Sequence, residues 1–391
     1  MSKFQKHIFK DIAKFIDYRG RTPKKTDSGI PLITAKNVRM DYISDEPKEF
    51  IAEDDYESWM TRGIPKIGDV LFSTEAPLGN VAQLKTSKKI ALAQRLVTFQ
   101  PINDTYISTF LKYYLMSSLF QTELLKKATG TTVKGIKTSI LKKFEIPLPS
   151  LNEQRKIVDK LNELFVRINK AIVLLEENVS HSQDLMSSVL DGLFDKVAEK
   201  YPSVSLADHI CFIGGSQPPK SSFSGKKKDG YVRLIQIRDY KSDNYIVYID
   251  EKSTKKFCTK DDVMIGRYGP PVFQILRGLE GAYNVALMKA IPDEKVIMKD
   301  YLYYFLMNGR IQNYIISISQ RSAGQSGVNK KALEAYEIAI PPLEEQQRIV
   351  DKIKAAIPKI EETQKLVNRN LDHLKALKSS LLDKAFKGEL L

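Results

Sequence analysis

The chain has 391 residues, 42% hydrophobic and 28% charged, with a formal net charge of +14. That length supports two or three folded cores, and that balance is ordinary for a globular chain. It contains no apolar run long enough to predict a membrane-spanning helix, and its first ten residues lack the apolar segment of a secretory signal, so a cytoplasmic protein is expected.

Residues 9–16 read as a short amphipathic stretch, and residues 17–25 form a basic loop broken by glycine and proline. Strands are predicted over 30–38, 68–73 and 95–99. After Pro101 the period changes, and Phe110, Tyr113, Tyr114, Leu119 and Leu124 predict one helix over 106–127. A polar, glycine-containing loop covers 130–137, and residues 144–149 read as an edge strand closed by prolines.

A long helix follows. Ser150 and Glu153 stand in capping-box relation, so hydroxyl and carboxylate can satisfy free backbone N–H groups at its start. Ile157, Leu161, Leu164, Ile168, Ile172, Leu175, Val179, Met186, Val189 and Leu193 then make one apolar stripe. About 40 residues of helix are roughly 60 Å long, and a single stripe of that length needs a partner. A second copy supplies one: Ile349, Ile353, Ala356, Ile360, Val367, Leu371, Leu374, Leu377 and Leu381. The copies align without gaps at an offset of 192, from Ile157 with Ile349 to Phe194 with Phe386. Two differences stand out: Pro342 occupies the place of Ser150, and Pro358 predicts a kink inside the second helix.

Residues 201–341 repeat residues 1–150. Leu234 matches Leu32, Asp262 matches Asp69, Leu302 matches Leu111 and Gly327 matches Gly135. The offset drifts between these blocks from 202 to 191, so the framework is shared while the loops differ in length. The fold class is therefore α+β, with two similar globular domains (1–150 and 201–341) and two long helical segments (151–200 and 342–391). Two copies of one scaffold with different loops can present two different recognition surfaces.

The charge follows the same division. Residues 1–150 carry a net +8 and residues 201–341 a net +6, whereas 151–200 carry −2 and 342–391 carry +2. A basic excess confined to two equivalent domains suggests two anionic contact sites, and nucleic acid is the commonest large polyanion. No catalytic constellation is visible. The four histidines, His7, His181, His209 and His373, form no pair at ligand spacing, and no hydrolase elbow, zinc-protease or phosphate-loop motif occurs. Residues 266–271 are glycine-rich without the spacing of a nucleotide fingerprint, and a surface loop is expected there. Cys211 and Cys258 have no zinc-site spacing and are expected as reduced thiols, buried or half-buried.

What remains is a binding surface. Arginine and lysine can fork to guanine or neutralise phosphates, and asparagine and glutamine can read adenine. In the first half the candidates are Arg19, Arg21, Lys24, Lys25, Thr34, Lys36, Asn37, Arg39, Lys134 and Lys137. In the second they are Gln217, Lys220, Lys226, Lys227, Lys228, Gln236, Arg238, Arg267, Tyr268, Gln325, Asn329 and Lys330.

The duplicated boundary, Ile-Pro-Leu-Pro-Ser-Leu-Asn-Glu-Gln over 146–154 and Ile-Pro-Pro-Leu-Glu-Glu-Gln over 340–346, resembles that of type I restriction-modification specificity subunits. So does the closing Ala-Phe-Lys-Gly-Glu-Leu over 385–390. The resemblance implies two target-recognition domains, each reading half of a split double-stranded DNA sequence in the major groove. It implies long helices that pair antiparallel and set the half-site spacing. Two methyltransferase and two restriction subunits are implied as partners in a prokaryotic cytoplasm, with no membrane association. Adenine methylation and cleavage, with S-adenosylmethionine, ATP and magnesium, would belong to those partners, and this chain would carry no cofactor. An alternative is a non-catalytic coiled-coil scaffold with protein-binding ends, which would lack a steeply salt-dependent DNA affinity.

Overall fold

The computed structural model describes residues 3–18, 22–269, 271–319 and 327–391. The chain divides into two compact units, Met1–Glu176 with Arg369–Leu391, and Glu177–Asn368. Two long helices, Leu151–Lys200 and Leu343–Lys387, contribute to both.

In the first unit, Ala13–Asp17, Leu96–Pro101, Val70–Ser73 and Val81–Gln83 form an antiparallel sheet in that order. Val70, Leu71 and Phe72 are all fully buried, which is why this strand is an unbroken apolar run: both of its faces are covered. A second sheet is built on Ile30–Ile33, antiparallel to Phe50–Ile51 and parallel to Ala91–Leu92. Lys6–Ile8 pairs antiparallel with Glu145–Pro147 and closes the unit. The core joins Phe9, Phe72, Phe99, Phe110, Phe120 and Phe144 to Ile157, Leu161 and Phe165 of the first long helix and Leu382 and Phe386 of the second. Phe110 meets Phe386 edge-on at 5.1 Å.

The second unit repeats this topology. Ile210–Gly214, Leu287–Pro292, Val263–Gly266 and Gln274–Leu276 form the first sheet in the same order. Tyr231–Ile235 again pairs antiparallel with Tyr248–Asp250 and parallel with Gly281–Tyr283, and an added strand, Phe257–Cys258, extends that sheet. Ser203–Ser205 pairs with Glu337–Ala339. Within each unit the first part of one long helix shares a core with the last part of the other, so the two segments pair antiparallel. Lys378, over the Phe165 ring at 4.9 Å and 3.3 Å from Asn169 Oδ1, marks that pairing in the first unit.

The duplicated boundary motif acts through one buried residue in each copy. Gln154 is fully buried; its Oε1 accepts from Ile107 N–H at 2.9 Å, and its Nε2 donates to Thr105 O (3.4 Å) and Pro149 O (2.9 Å). Gln346 repeats this with Met298 N–H (2.9 Å), Val296 O (2.7 Å) and Pro341 O (2.8 Å). Each glutamine thus pins the start of a long helix to the loop before a domain helix, Ser108–Met116 in the first unit and Lys299–Leu306 in the second. The capping box is also formed: Ser150 N–H donates to Glu153 Oε2 at 3.2 Å, and Glu153 N–H to Ser150 Oγ at 3.4 Å.

Several local expectations are corrected. Residues 106–127 make two helices, Ser108–Met116 and Ser118–Lys127, because Ser117 is extended and its Oγ accepts from Phe120 N–H. The break lets Ser118 donate its N–H to Asp383 Oδ1 (3.0 Å) and its hydroxyl to the other oxygen. Asp191, equivalent to Asp383 in the repeat, accepts from Gly309 N–H at 2.8 Å in the same way. Residues 9–16 form one helical turn, Phe9–Ile12, and then strand Ala13–Asp17. The strand predicted over 30–38 stops at Ile33. Pro358 is exposed and, as placed by the sequence, lies inside the second long helix, which continues on both sides of it. Leu377, expected on the apolar stripe, is 45% exposed, because Lys378 rather than Leu377 faces the partner helix segment. Cys211 is exposed and Cys258 buried, which pushes the Cys258 thiol up to about 11.

Candidate nucleic-acid interface

The central strand of each smaller sheet runs into a tight turn. In the first unit Asn37 closes it: Thr34 N–H and hydroxyl donate to Asn37 Oδ1 (3.0 and 2.8 Å), while Nδ2 donates to Ser44 O (3.1 Å) and Pro47 O (2.9 Å). Asn37 is 2% exposed, so this expected adenine reader is instead an internal brace with its hydrogen bonds turned inward. Thr34 is half-buried beside it. Asp239 takes the place of Asn37 in the second unit and accepts from Gln236 N–H at 3.0 Å. Burial raises the Asp239 carboxyl, against the Gln236 N–H and the nearby Arg233 and Arg238. Gln236, another of the amide candidates, holds its amide nitrogen buried with no acceptor among the described residues. Both turns leave cations at their tips: Lys36 and Arg39 in the first unit, and Arg238 in the second, its guanidinium over the Tyr245 ring at 5.0 Å.

A second loop pair flanks each turn. Thr74 N–H donates to Arg95 O (2.9 Å), Ile136 N–H donates to Thr74 O (3.0 Å), and Glu75 is bridged to Gly135. This holds the exposed Lys134 and Lys137 beside the end of strand Val70–Ser73. The second unit matches: Arg267 N–H donates to Ala286 O (2.8 Å), Val328 N–H to Arg267 O (2.9 Å), and Tyr268 is bridged to Gly327. A Cβ on Gly327 would sit 2.9 Å from the Tyr268 ring, so close packing here selects glycine. Asn329 caps helix Lys330–Glu334 by accepting from Ala332 N–H at 3.2 Å, and Lys330 pairs with Glu334 at 3.3 Å.

The first unit thus gathers Lys25, Thr34 and Lys36 with Ala76, Gln94 and Arg95 around a cleft of about 240 Å³. Lys25 is tied to Glu49 at 2.8 Å, and Lys24 is exposed nearby. Sequence reasoning does not single out Gln94 and Arg95; Arg95 opens a predicted strand, and nothing in its residue type announces its position at the cleft. In the second unit Gln217, Lys220, Lys226, Lys227 and Lys228 are exposed, with Lys228 over the Tyr231 ring at 5.4 Å. Arg19, Arg21 and Gln325 lie outside the described residues. These surfaces offer amines, guanidinium forks and amides to an anionic, acceptor-rich ligand. Among the described residues no group of three His, Cys, Asp or Glu side chains could hold a metal ion, and no helix is long and apolar enough to cross a membrane.

The lysine loop yields a direct prediction. Replacing Lys226, Lys227 and Lys228 by serine should weaken binding to all duplexes alike and make the salt dependence shallower, by about one in slope for each phosphate no longer neutralised. Titrations at several salt concentrations check this; an altered base preference would count against a phosphate role.

A family model for the "type I restriction modification DNA specificity domain" matches residues 1–174 and 199–369. The StySPI type I restriction enzyme specificity subunit of Salmonella potsdam is 24% identical over 310 residues, covering 74% of this chain and 66% of that protein. The EcoKI specificity subunit of Escherichia coli (strain K12) is 23% identical over 311 residues, covering 72% of this chain and 66% of that protein. This chain therefore matches just under two thirds of the length of each. A chain solved in work on the "structural basis underlying complex assembly and conformational transition of the type I R-M system" superposes with a TM-score of 0.74 at 20% identity, covering 99% of this chain and 98% of that one. That likeness extends the shared fold over the whole length.

Proposed function

The chain belongs to the type I restriction modification DNA specificity domain family, and on that premise we propose that it is the DNA-reading subunit of such a system. Each unit reads one half of a bipartite duplex target through its major groove, and the paired long helices set the spacing between the half-sites. Two methyltransferase and two restriction subunits dock on it in the cytoplasm of a prokaryote. Those partners bind S-adenosylmethionine, ATP and magnesium and perform adenine methylation and cleavage; this chain is not itself catalytic.

One observation carries this reading. The two units repeat the same sheet order, the same glutamine pins and the same aspartate caps, yet their loops carry different cations. A scaffold held constant while its loops change suits two readers of different sequence. The complex with a methyltransferase partner should bind duplexes carrying one split sequence more tightly than random duplexes at matched salt. Both affinities should fall steeply as salt rises, since phosphate contacts release counterions. Equal affinity for all duplexes would refute specific reading, and a salt-independent affinity would favour a protein scaffold.

A further inference from the structure

The internal duplication allows the same point of the scaffold to be compared in two sequences. We infer that Arg95 is the specificity-determining residue of the first half-site, presenting its guanidinium to a guanine edge. This assignment rests on the DNA-reading function proposed above.

Register aligns the two units at this point. Ser73 pairs with Leu96 as Gly266 pairs with Leu287, and the bond from Thr74 N–H to Arg95 O has its counterpart from Arg267 N–H to Ala286 O. Arg95 therefore stands where the second unit has Ala286, and Thr74 stands where it has Arg267. Each unit places one arginine at this junction, but from opposite sides of the pairing. In the second unit Arg267 Nη1 donates to Val285 O at 3.4 Å, so its side chain reaches back to the turn whose counterpart holds Gln94 and Arg95 in the first. The junction is shared, although the residue that supplies its arginine is not.

The backbone at Arg95 shows a cost accepted for position. Its φ is +71°, the left-handed region where an unbranched long side chain has no advantage over glycine. Backbone strain of this kind collects at functional sites. Here the strained residue lines the cleft shared with Gln94, Thr34 and Lys36.

The surroundings choose between a phosphate and a base. Glu75 Oε1 lies 3.7 Å from Arg95 Nη2, and the arginine side chain remains 47% exposed. A carboxylate that close repels a phosphate, whereas a neutral base edge meets no such penalty. Guanine O6 and N7 accept two donors from a fork of this kind, with remaining N–H donors of the guanidinium left to Glu75.

The test uses the complex with its methyltransferase partner and selection from a duplex library randomised across both half-sites. Arg95→Gln should erase the preference for guanine at one position of one half-site, by roughly 5- to 150-fold, leaving the other half-site as the wild type reads it. Arg95→Gly should lose the same preference while melting no lower than wild type, because glycine adopts the left-handed backbone freely. Arg267→Gln should change only the other half-site. Uniform weakening on all sequences with a shallower salt slope would make Arg95 a phosphate contact and overturn the assignment, as would unchanged preferences. A wild-type complex with no preference at all would overturn the DNA-reading function itself, a result distinguishable from failure of the arginine alone.

Discussion

Replacing Gln154 by leucine should destabilise the first unit by about 4 kcal/mol. The estimate follows from what the substitution strands: Ile107 N–H, Thr105 O and Pro149 O would lose their partner at a fully buried position. A buried polar group left unsatisfied costs about 1–3 kcal/mol, and partial relaxation keeps the total below a simple sum. Gln346→Leu should do the same to the second unit through Met298 N–H, Val296 O and Pro341 O. Hydrogen exchange reads the two separately. Gln154→Leu should lower amide protection in the helices Ser108–Met116 and Ser118–Lys127, and Gln346→Leu in Lys299–Leu306 and Gly309–Ser319. A loss under about 1 kcal/mol in denaturant unfolding would mean that the glutamines are not the pins their geometry suggests.

Asp41→Asn should cost about 3 kcal/mol, because it strands a buried ammonium. Lys112 Nζ lies 2.7 Å from Asp41 Oδ1 with only 8% of its side chain exposed, and Lys378 of the second long helix lies 3.3 Å from Oδ2. Burial alone would raise the Asp41 carboxyl, but the two ammonium groups outweigh it and hold the carboxyl below its ordinary value. The folded value is thus depressed relative to the unfolded one. The stabilisation is complete above the unfolded pKa, about 4, and is lost as pH falls through the folded value. Wild type should therefore lose stability in acid faster than Asp41→Asn does. Asparagine tolerates the left-handed backbone at Asp41 (φ +80°), so strain does not confound the comparison. Adding Lys112→Met should recover much of the loss, since no unpaired buried charge then remains. Urea unfolding at neutral and acidic pH measures both effects; equal acid sensitivity in the two proteins would remove the ion pair from the account.

In the second unit Asp300, at a different point of the repeat, makes a similar tie. Lys354 of the second long helix and Arg277 pair with it, and their charges outweigh its burial to hold its carboxyl low. Each globular domain is therefore tied to a long helix by a buried glutamine and by an ion pair. These attachments explain why the boundary motif recurs at a constant offset while the loops between framework elements drift in length. The motif has to meet a fixed loop of its own domain; the variable loops only have to leave the sheets at the same ends.

Much was legible in the sequence because it depends on local pattern. The duplication, the capping box at Ser150 and the confinement of basic charge to two domains all follow from order and spacing along the chain. The antiparallel sense of the helix pairing came with the family resemblance. The buried glutamines were present in the motif that carried that resemblance, yet their role needed the partner loops at residues 105–107 and 296–298, about 50 positions away. Ser117 reads as one more polar position in a helical run; only its Oγ cap and the aspartate waiting at Asp383 make it a break.

The recognition surface was least legible, and the reason is directional. Residue type says what a side chain can bond but not which way it points. Asn37 and Gln236 are suited to reading adenine, and the fold turns the first inward and buries the amide nitrogen of the second. Arg95 carries no signal in its neighbours: nothing in residues 94–96 announces a left-handed arginine whose carbonyl accepts from Thr74, 21 positions away. By itself the sequence carried the family resemblance in its boundary motifs, and it determined the two-fold repeat and the division between framework and loops, because those follow from order and spacing along the chain. Only the tertiary structure decided which side chains face out, because that depends on contacts between segments far apart in the chain, whose geometry no local pattern encodes.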